Sequence, residues 1–250
     1  GRPLACIANK AERQARIAAE KDAWEQELSA WTHERDPYSL EVASGSKLMH
    51  PRQMLRELEK AMPRHAMVST DIGNICSISN SYLRFDEPRS MFAAMSFGNC
   101  GYAFPVACGA KIAAPDRPMI AYVGDGAWGI SLNELLTCAR EKIGVTVVVF
   151  NNGQWGAEKK NHVDFYSQRF QAVDLVSPSW AGVAKAFGCE GVTVDKLSDV
   201  GPALRASVQA QAEGRTTILE MMVTRELGDP FRRDALSKPV RYLDKYRAYA

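Results

Sequence analysis

Residues 120–153 read IAYVGDGAWGISLNELLTCAREKIGVTVVVFNNG, and this stretch decides the fold. An apolar, β-prone run over 120–123 breaks at Gly124-Asp125-Gly126. Helix-permissive sequence follows over 131–142, and a second β run over 145–150 stops at Asn151-Asn152-Gly153. Strand, glycine-rich turn, helix, strand and polar turn make one βαβ unit. Its two strands must be parallel neighbours, so both turns leave the same carboxyl edge of the sheet. Asp125 and Asn152, 27 positions apart (152 − 125), are thereby expected to face one another.

The residue types at those two turns suggest a chemistry. A carboxylate, an amide oxygen and a backbone carbonyl of the Gly153-Gln154 turn are hard oxygen donors. They make half of a coordination shell for Mg²⁺, which completes its octahedron with water and phosphate oxygens. The glycines let the backbone approach a ligand, and amides at a helix start can point at phosphate. Asp-Gly and Asn-Gly are also the commonest turn dipeptides, so either triplet alone reads as ordinary turn chemistry. Both together, ending successive buried strands, favour a metal-bridged diphosphate site.

With GDG at 124–126 and NN at 151–152, the chain resembles the thiamine diphosphate (ThDP) enzymes over about residues 50–223. The resemblance implies an α/β fold, a parallel sheet flanked by helices of the pyrophosphate-domain type, binding ThDP and Mg²⁺. It assigns the metal to Asp125, Asn152 and the carbonyl of Gln154. It extends the cofactor-binding set to Gly124, Gly126, Ala127 and Trp155, and to the glycine segment Gly98-Asn99-Cys100 that would grip the aminopyrimidine. Cys100 stands where related enzymes carry Met, Ile or Leu to prop the cofactor, and Phe97 and Tyr102 are the expected helpers.

Outward from the central unit, strands and helices keep alternating. A helix starts at Pro51 with Met54, Leu55, Leu58 and Met62 on its buried face, and a strand over 66–70 ends at Asp71. Asp71 is either an N-cap or a residue lining the cofactor cleft. A strand over 91–94 and an Ala-rich helix reaching 114 precede the central unit. After it come a helix over 179–187, a strand over 189–194, a helix over 198–212 and a last strand over 216–223, together a parallel α/β domain. Lys159 and Lys160 read as a solvated helix face or as contacts to an anionic substrate. His162 reads as a surface histidine.

Both ends differ from this domain. Residues 1–33 carry an amphipathic stripe of Ile17, Trp24, Leu28 and Trp31, expected to be the helical tail of a middle domain. Residues 34–49 read as a linker. Residues 224–250 form a basic arm in which Arg232 and Arg233 are candidates for forked binding of phosphate or sulfonate oxygens, or else a disordered end-piece.

A hydrophobic content of 46%, a charged content of 24% and a net charge of +2 describe an ordinary globular chain. They give no basic stripe for nucleic acid and no apolar run long enough for a membrane. The six cysteines lack CxxC or zinc-ligand spacing, so reduced thiols in a cytoplasmic protein are expected.

Within the ThDP family, SFGNCGYAFP (96–105), YVGDGAWG (122–129), NNGQWGAEKKNHVDFY (151–166) and TRELGDPFRRDALSKPVR (224–241) are similar to the branch that acts on sulfoacetaldehyde. The implied reaction converts sulfoacetaldehyde and phosphate into acetyl phosphate and sulfite, the acetyl group being carried on the cofactor. The resemblance also implies a homodimer or homotetramer. It implies too an activating glutamate on an N-terminal pyrimidine-binding domain that these 250 residues do not contain. The chain is expected to be a fragment or one member of a split pair. The alternatives are an acetolactate synthase-like lyase acting on 2-oxo acids and a non-catalytic diphosphate-binding module.

Overall fold

The computed structural model describes residues 48–225, together with residues 15, 16, 18, 19, 22, 23 and 26, which are helical. The apolar stripe expected over 1–33, most of the expected linker and the arm beyond Arg225, with Arg232 and Arg233, lie outside the described residues. The chain divides into two compact units, Gly1–Ser44 and Gly45–Ala250, and the sheet belongs to the second.

Six parallel strands form that sheet in the order β2-β1-β3-β4-β6-β5: β1 Met67–Thr70, β2 Met91–Ala93, β3 Met119–Gly124, β4 Thr146–Asn151, β5 Glu190–Val194 and β6 Thr217–Met222. β3 and β4 pair from Ile120 with Thr146 to Gly124 with Phe150, as the βαβ reading requires. Parallel strands are covered on both faces, which is why these runs are apolar without alternation. On one face Ile120, Tyr122, Val148, Phe150 and Leu219 pack with α1 (Pro51–Ala61), α2 (Asn74–Ser79) and a later helix carrying Leu204. On the other, Ala121, Val123, Val147 and Val149 pack with α3 (Ala103–Ala113), α4 (Asp125–Ser131), α5 (Leu135–Glu141) and a helix starting at Trp180.

α1 begins with Pro51 in its first turn, where the fixed φ costs nothing, and buries Met54, Leu55 and Leu58 at helical spacing. The remaining helices are α6 (Gly156–Phe165), α7 (Trp180–Ala186) and α8 (Leu197–Ala210). Among the described residues no helix is long and apolar enough to cross a membrane. The five described cysteines are free, and four of them are buried.

Two expectations are corrected. The helix after β3 does not wait until residue 131; it starts at Asp125, immediately after the extended residue Gly124. The two glycines of GDGAWG argue for a turn, but Trp128 is fully buried with its ring 5.1 Å from that of Phe104, and this packing outweighs the glycine penalty. Met49, assigned to the linker, is buried and bridges Val223 in parallel, with its amide donating to Met222 at 3.1 Å. The sheet therefore captures the chain before α1 begins.

Candidate functional site

Asp125 is the first residue of α4, one position past the end of β3, and only 2% exposed. One carboxylate oxygen accepts the Gly126 amide at 3.0 Å. The other reaches across to the turn after β4 and accepts the Gly153 amide at 2.8 Å. That second bond joins the two turns physically. Burial pushes the Asp125 pKa up to about 6, against the pull of the Gly153 and Gly126 amides and, more weakly, of the Arg225 charge.

The turn after β4 is tightly specified. Asn151 and Asn152 have different jobs: the Asn151 side chain donates to Glu220 on β6 at 2.9 Å, and the buried Asn152 accepts the Gln154 amide on its side-chain oxygen at 3.3 Å. Gly153 has φ of +63°, where a side chain would strain the backbone. Residues 173–175 strap the turn from outside, with the Trp155 amide donating to Val173 at 2.8 Å and the Leu175 amide to Gly153 at 2.9 Å.

These turns open into a cleft at the carboxyl edge of the sheet. Of the residues assigned to the cofactor from sequence, Gly98, Cys100, Gly124, Asp125, Gly126, Ala127, Asn152, Gln154 and Trp155 line it together. Asp71 and Asn99 do not. The Trp155 ring lies on Gly126: a Cβ added there would come within 2.8 Å of three of its ring carbons. Sequence reasoning missed Cys76, Phe150, Gly156 and Glu158, which also line the cleft. The adjacency of Gly156 and Glu158 to the polar turn was the available signal.

Asp71 works from behind the cleft. Its carboxylate accepts the Ile72 amide at 3.0 Å and, thirty residues on, the Gly101 and Ala103 amides at 3.1 Å each. It thus ties the glycine segment 98–101 to the end of β1 rather than capping α2, whose start has no side-chain cap. Burial raises its pKa, and those amides draw it back. Phe97, expected to help prop the cofactor, is 91% exposed and outside the cleft lining. Cys100 does line it, half-buried, its thiol pKa raised by burial and by the Asp71 charge.

The lysines are engaged elsewhere. Lys159 pairs with Asp174 at 3.4 Å beside the Phe170 ring, Lys160 pairs with Asp164 at 2.5 Å, and neither lines the cleft. His162 packs edge-on to Tyr166 and Phe170.

The donor set suits a hard cation that is shared with a ligand. Among the described residues no three His, Cys, Asp or Glu side chains cluster to hold a metal alone. What the cleft offers is one buried carboxylate, a neighbouring amide oxygen and the Gln154 side-chain oxygen, buried and without a hydrogen-bond partner. With a single buried carboxylate, a divalent ion here needs further oxygens from outside, as Mg²⁺ on a diphosphate has.

Residues 71–221 match the family described as "Thiamine pyrophosphate enzyme, C-terminal TPP binding domain". The chain is 66% identical over 255 residues to a sulfoacetaldehyde acetyltransferase of Castellaniella defragrans, covering 100% of this chain and 43% of that protein. It is 63% identical over 256 residues to one of Alcaligenes xylosoxydans xylosoxydans, covering 98% and 42%. It spans under half the length of these curated relatives. In fold it is similar to a thiamine diphosphate-dependent 4-hydroxybenzoylformate decarboxylase of Rhodococcus jostii RHA1, with a TM-score of 0.67 at 23% identity over 74% of this chain and 34% of that one.

Proposed function

The chain belongs to the thiamine pyrophosphate enzyme family, and from that membership we propose that it supplies the Mg²⁺-diphosphate half of an acetyltransferase converting sulfoacetaldehyde and phosphate into acetyl phosphate and sulfite. The observation that carries the cofactor part is the bond from the Gly153 amide to Asp125, which closes two loops on one cleft. The substrate part is supported by the two relatives of that name at 63% and 66% identity.

In this reading the Asp125 carboxylate, the Asn152 side-chain oxygen and the Gln154 carbonyl would hold Mg²⁺, an ion that takes further oxygens from water and phosphate. Gly124, Gly126 and Ala127 bring bare backbone to the diphosphate at the start of α4. Gly98 and Cys100 take the ring end, Asp71 fixes their segment, and Trp155 walls the cleft over Gly126. Thiamine diphosphate, when bound, supplies a carbon nucleophile and an electron sink for acyl chemistry. The protein's share is to orient, to neutralise two anions and to keep water out. Lys159, Lys160, Arg232 and Arg233 are the candidates for those anions; the two lysines must first release Asp174 and Asp164.

The activating glutamate belongs, on this reading, to an N-terminal pyrimidine-binding domain outside these residues, in a homodimer or homotetramer of the cytoplasm. The test is product analysis on the full-length protein. Sulfite release from sulfoacetaldehyde should require phosphate and match acetyl phosphate one to one. Pyruvate decarboxylation with no sulfite release would reverse the substrate assignment.

A further inference from the structure

Arg225, three residues past β6, grips the turn after β4 more completely than any other side chain among the described residues. Its Nε donates to the Asn152 carbonyl at 3.2 Å, one terminal nitrogen to the Gly153 carbonyl at 3.0 Å and the other to Asp174 at 3.0 Å. Its own carbonyl accepts the Gln154 side-chain amide at 3.3 Å, so one arginine holds three consecutive residues. Gly153 admits the guanidinium: a Cβ there would stand 3.3 Å from its terminal nitrogen.

Three backbone carbonyls follow one another in this turn, and the grip distinguishes among them. Those of Asn152 and Gly153 are taken by Arg225, and that of Gly153 also by the Leu175 amide. The Gln154 carbonyl, the one proposed to ligate Mg²⁺, is left out of the grip. We infer that Arg225 is a positioning residue for the metal: by occupying the first two carbonyls of the turn it holds the third, with the Asn152 side chain, in the arrangement that receives Mg²⁺. This rests on the reading of the cleft as a Mg²⁺-diphosphate site.

Only a planar fork spans two carbonyls and a carboxylate at once, so lysine is not an equivalent. Residues that orient metal ligands without touching the metal change metal affinity by roughly ten- to a hundred-fold when removed. The experiment is a Mg²⁺ titration of the metal-free full-length protein at fixed thiamine diphosphate, read by tryptophan fluorescence, with thermal melting of each metal-free variant alongside. Arg225→Ala should raise the half-saturating Mg²⁺ concentration by on the order of tenfold, and excess Mg²⁺ should restore full binding. Arg225→Lys, which keeps the charge and protects the fold, should recover less than half of that shift on a logarithmic scale.

An unchanged Mg²⁺ requirement in Arg225→Ala, or full rescue by lysine, overturns the positioning role while leaving the cleft's assignment intact. So does a loss of melting temperature with no change in Mg²⁺ requirement. A wild-type protein whose thiamine diphosphate binding ignores Mg²⁺ overturns the underlying reading, and the positioning role with it.

Discussion

Asp125 buries a carboxylate against two backbone amides, and such a group is costly to ionise unless a cation joins it. Its place opposite Asn152 was readable because two polar turns end successive apolar strands of one βαβ unit; either turn alone reads as ordinary turn chemistry. Arg225 was not readable as a site residue: its partners are main-chain carbonyls 72 and 73 positions away, which leave no trace in side-chain pattern. Lys159 and Lys160 follow the turn closely enough in sequence to read as anion contacts. The Lys160–Asp164 pair at i,i+4 was already visible in the sequence, and it engages the Lys160 charge within its own helix. Gly126 gives a sharp test at this scale. Gly126→Ala should push the Trp155 ring off the α4 backbone, shift the tryptophan emission and weaken thiamine diphosphate binding by on the order of tenfold, with far-ultraviolet circular dichroism unchanged. Binding within twofold of wild type would mean the ring plays no part in shaping the cleft.

At the scale of elements, the site depends on how α4 and α7 are anchored. The start of α4 was misplaced by six residues because glycine pairs argue for a turn, while the Trp128–Phe104 contact that overrides them is tertiary. α7 is anchored by Glu220, a 2% exposed carboxylate on β6 that accepts the Trp180 and Ala181 amides at 3.0 and 3.2 Å, the Ser179 and Thr193 hydroxyls, and the Asn151 amide. Burial alone would raise its pKa, but these donors outweigh burial and hold it below the ordinary glutamate value of 4.5. A folded-state pKa below the unfolded one means Glu220 contributes stability that is present above pH 4.5. That contribution fades as pH falls through 4.5 toward the folded value. Glu220→Gln puts an amide donor among donors, so it should cost roughly 1–3 kcal/mol at pH 7 and less at pH 4 by urea denaturation. A cost independent of pH would show that the charge is not what anchors the helix. Because Asn151 shares this carboxylate, the same variant should also loosen the turn after β4, seen as faster hydrogen exchange at Gly153.

For the whole molecule, the alternation of strands and helices was enough to name a parallel sheet with its functional edge at the carboxyl ends. The strand order was not, since nothing local says that β6 inserts between β4 and β5. That insertion matters: it delivers Arg225 to the same edge as Asp125 and Asn152. If the arm meets the anionic substrate, Arg232→Ala with Arg233→Ala should raise the phosphate KM of the full-length enzyme by on the order of tenfold and leave thiamine diphosphate affinity nearly unchanged. Equal loss of both would make the arm a structural part. The account as a whole stands on one divalent ion shared between Asp125, the turn after β4 and a diphosphate, and calorimetry of thiamine diphosphate binding with and without Mg²⁺ tests it most directly. Wild-type full-length protein should bind only with Mg²⁺, and Asp125→Ala, lacking the one charged protein ligand, should show no Mg²⁺-dependent binding. Unchanged Mg²⁺-dependent affinity in that variant would contradict the account.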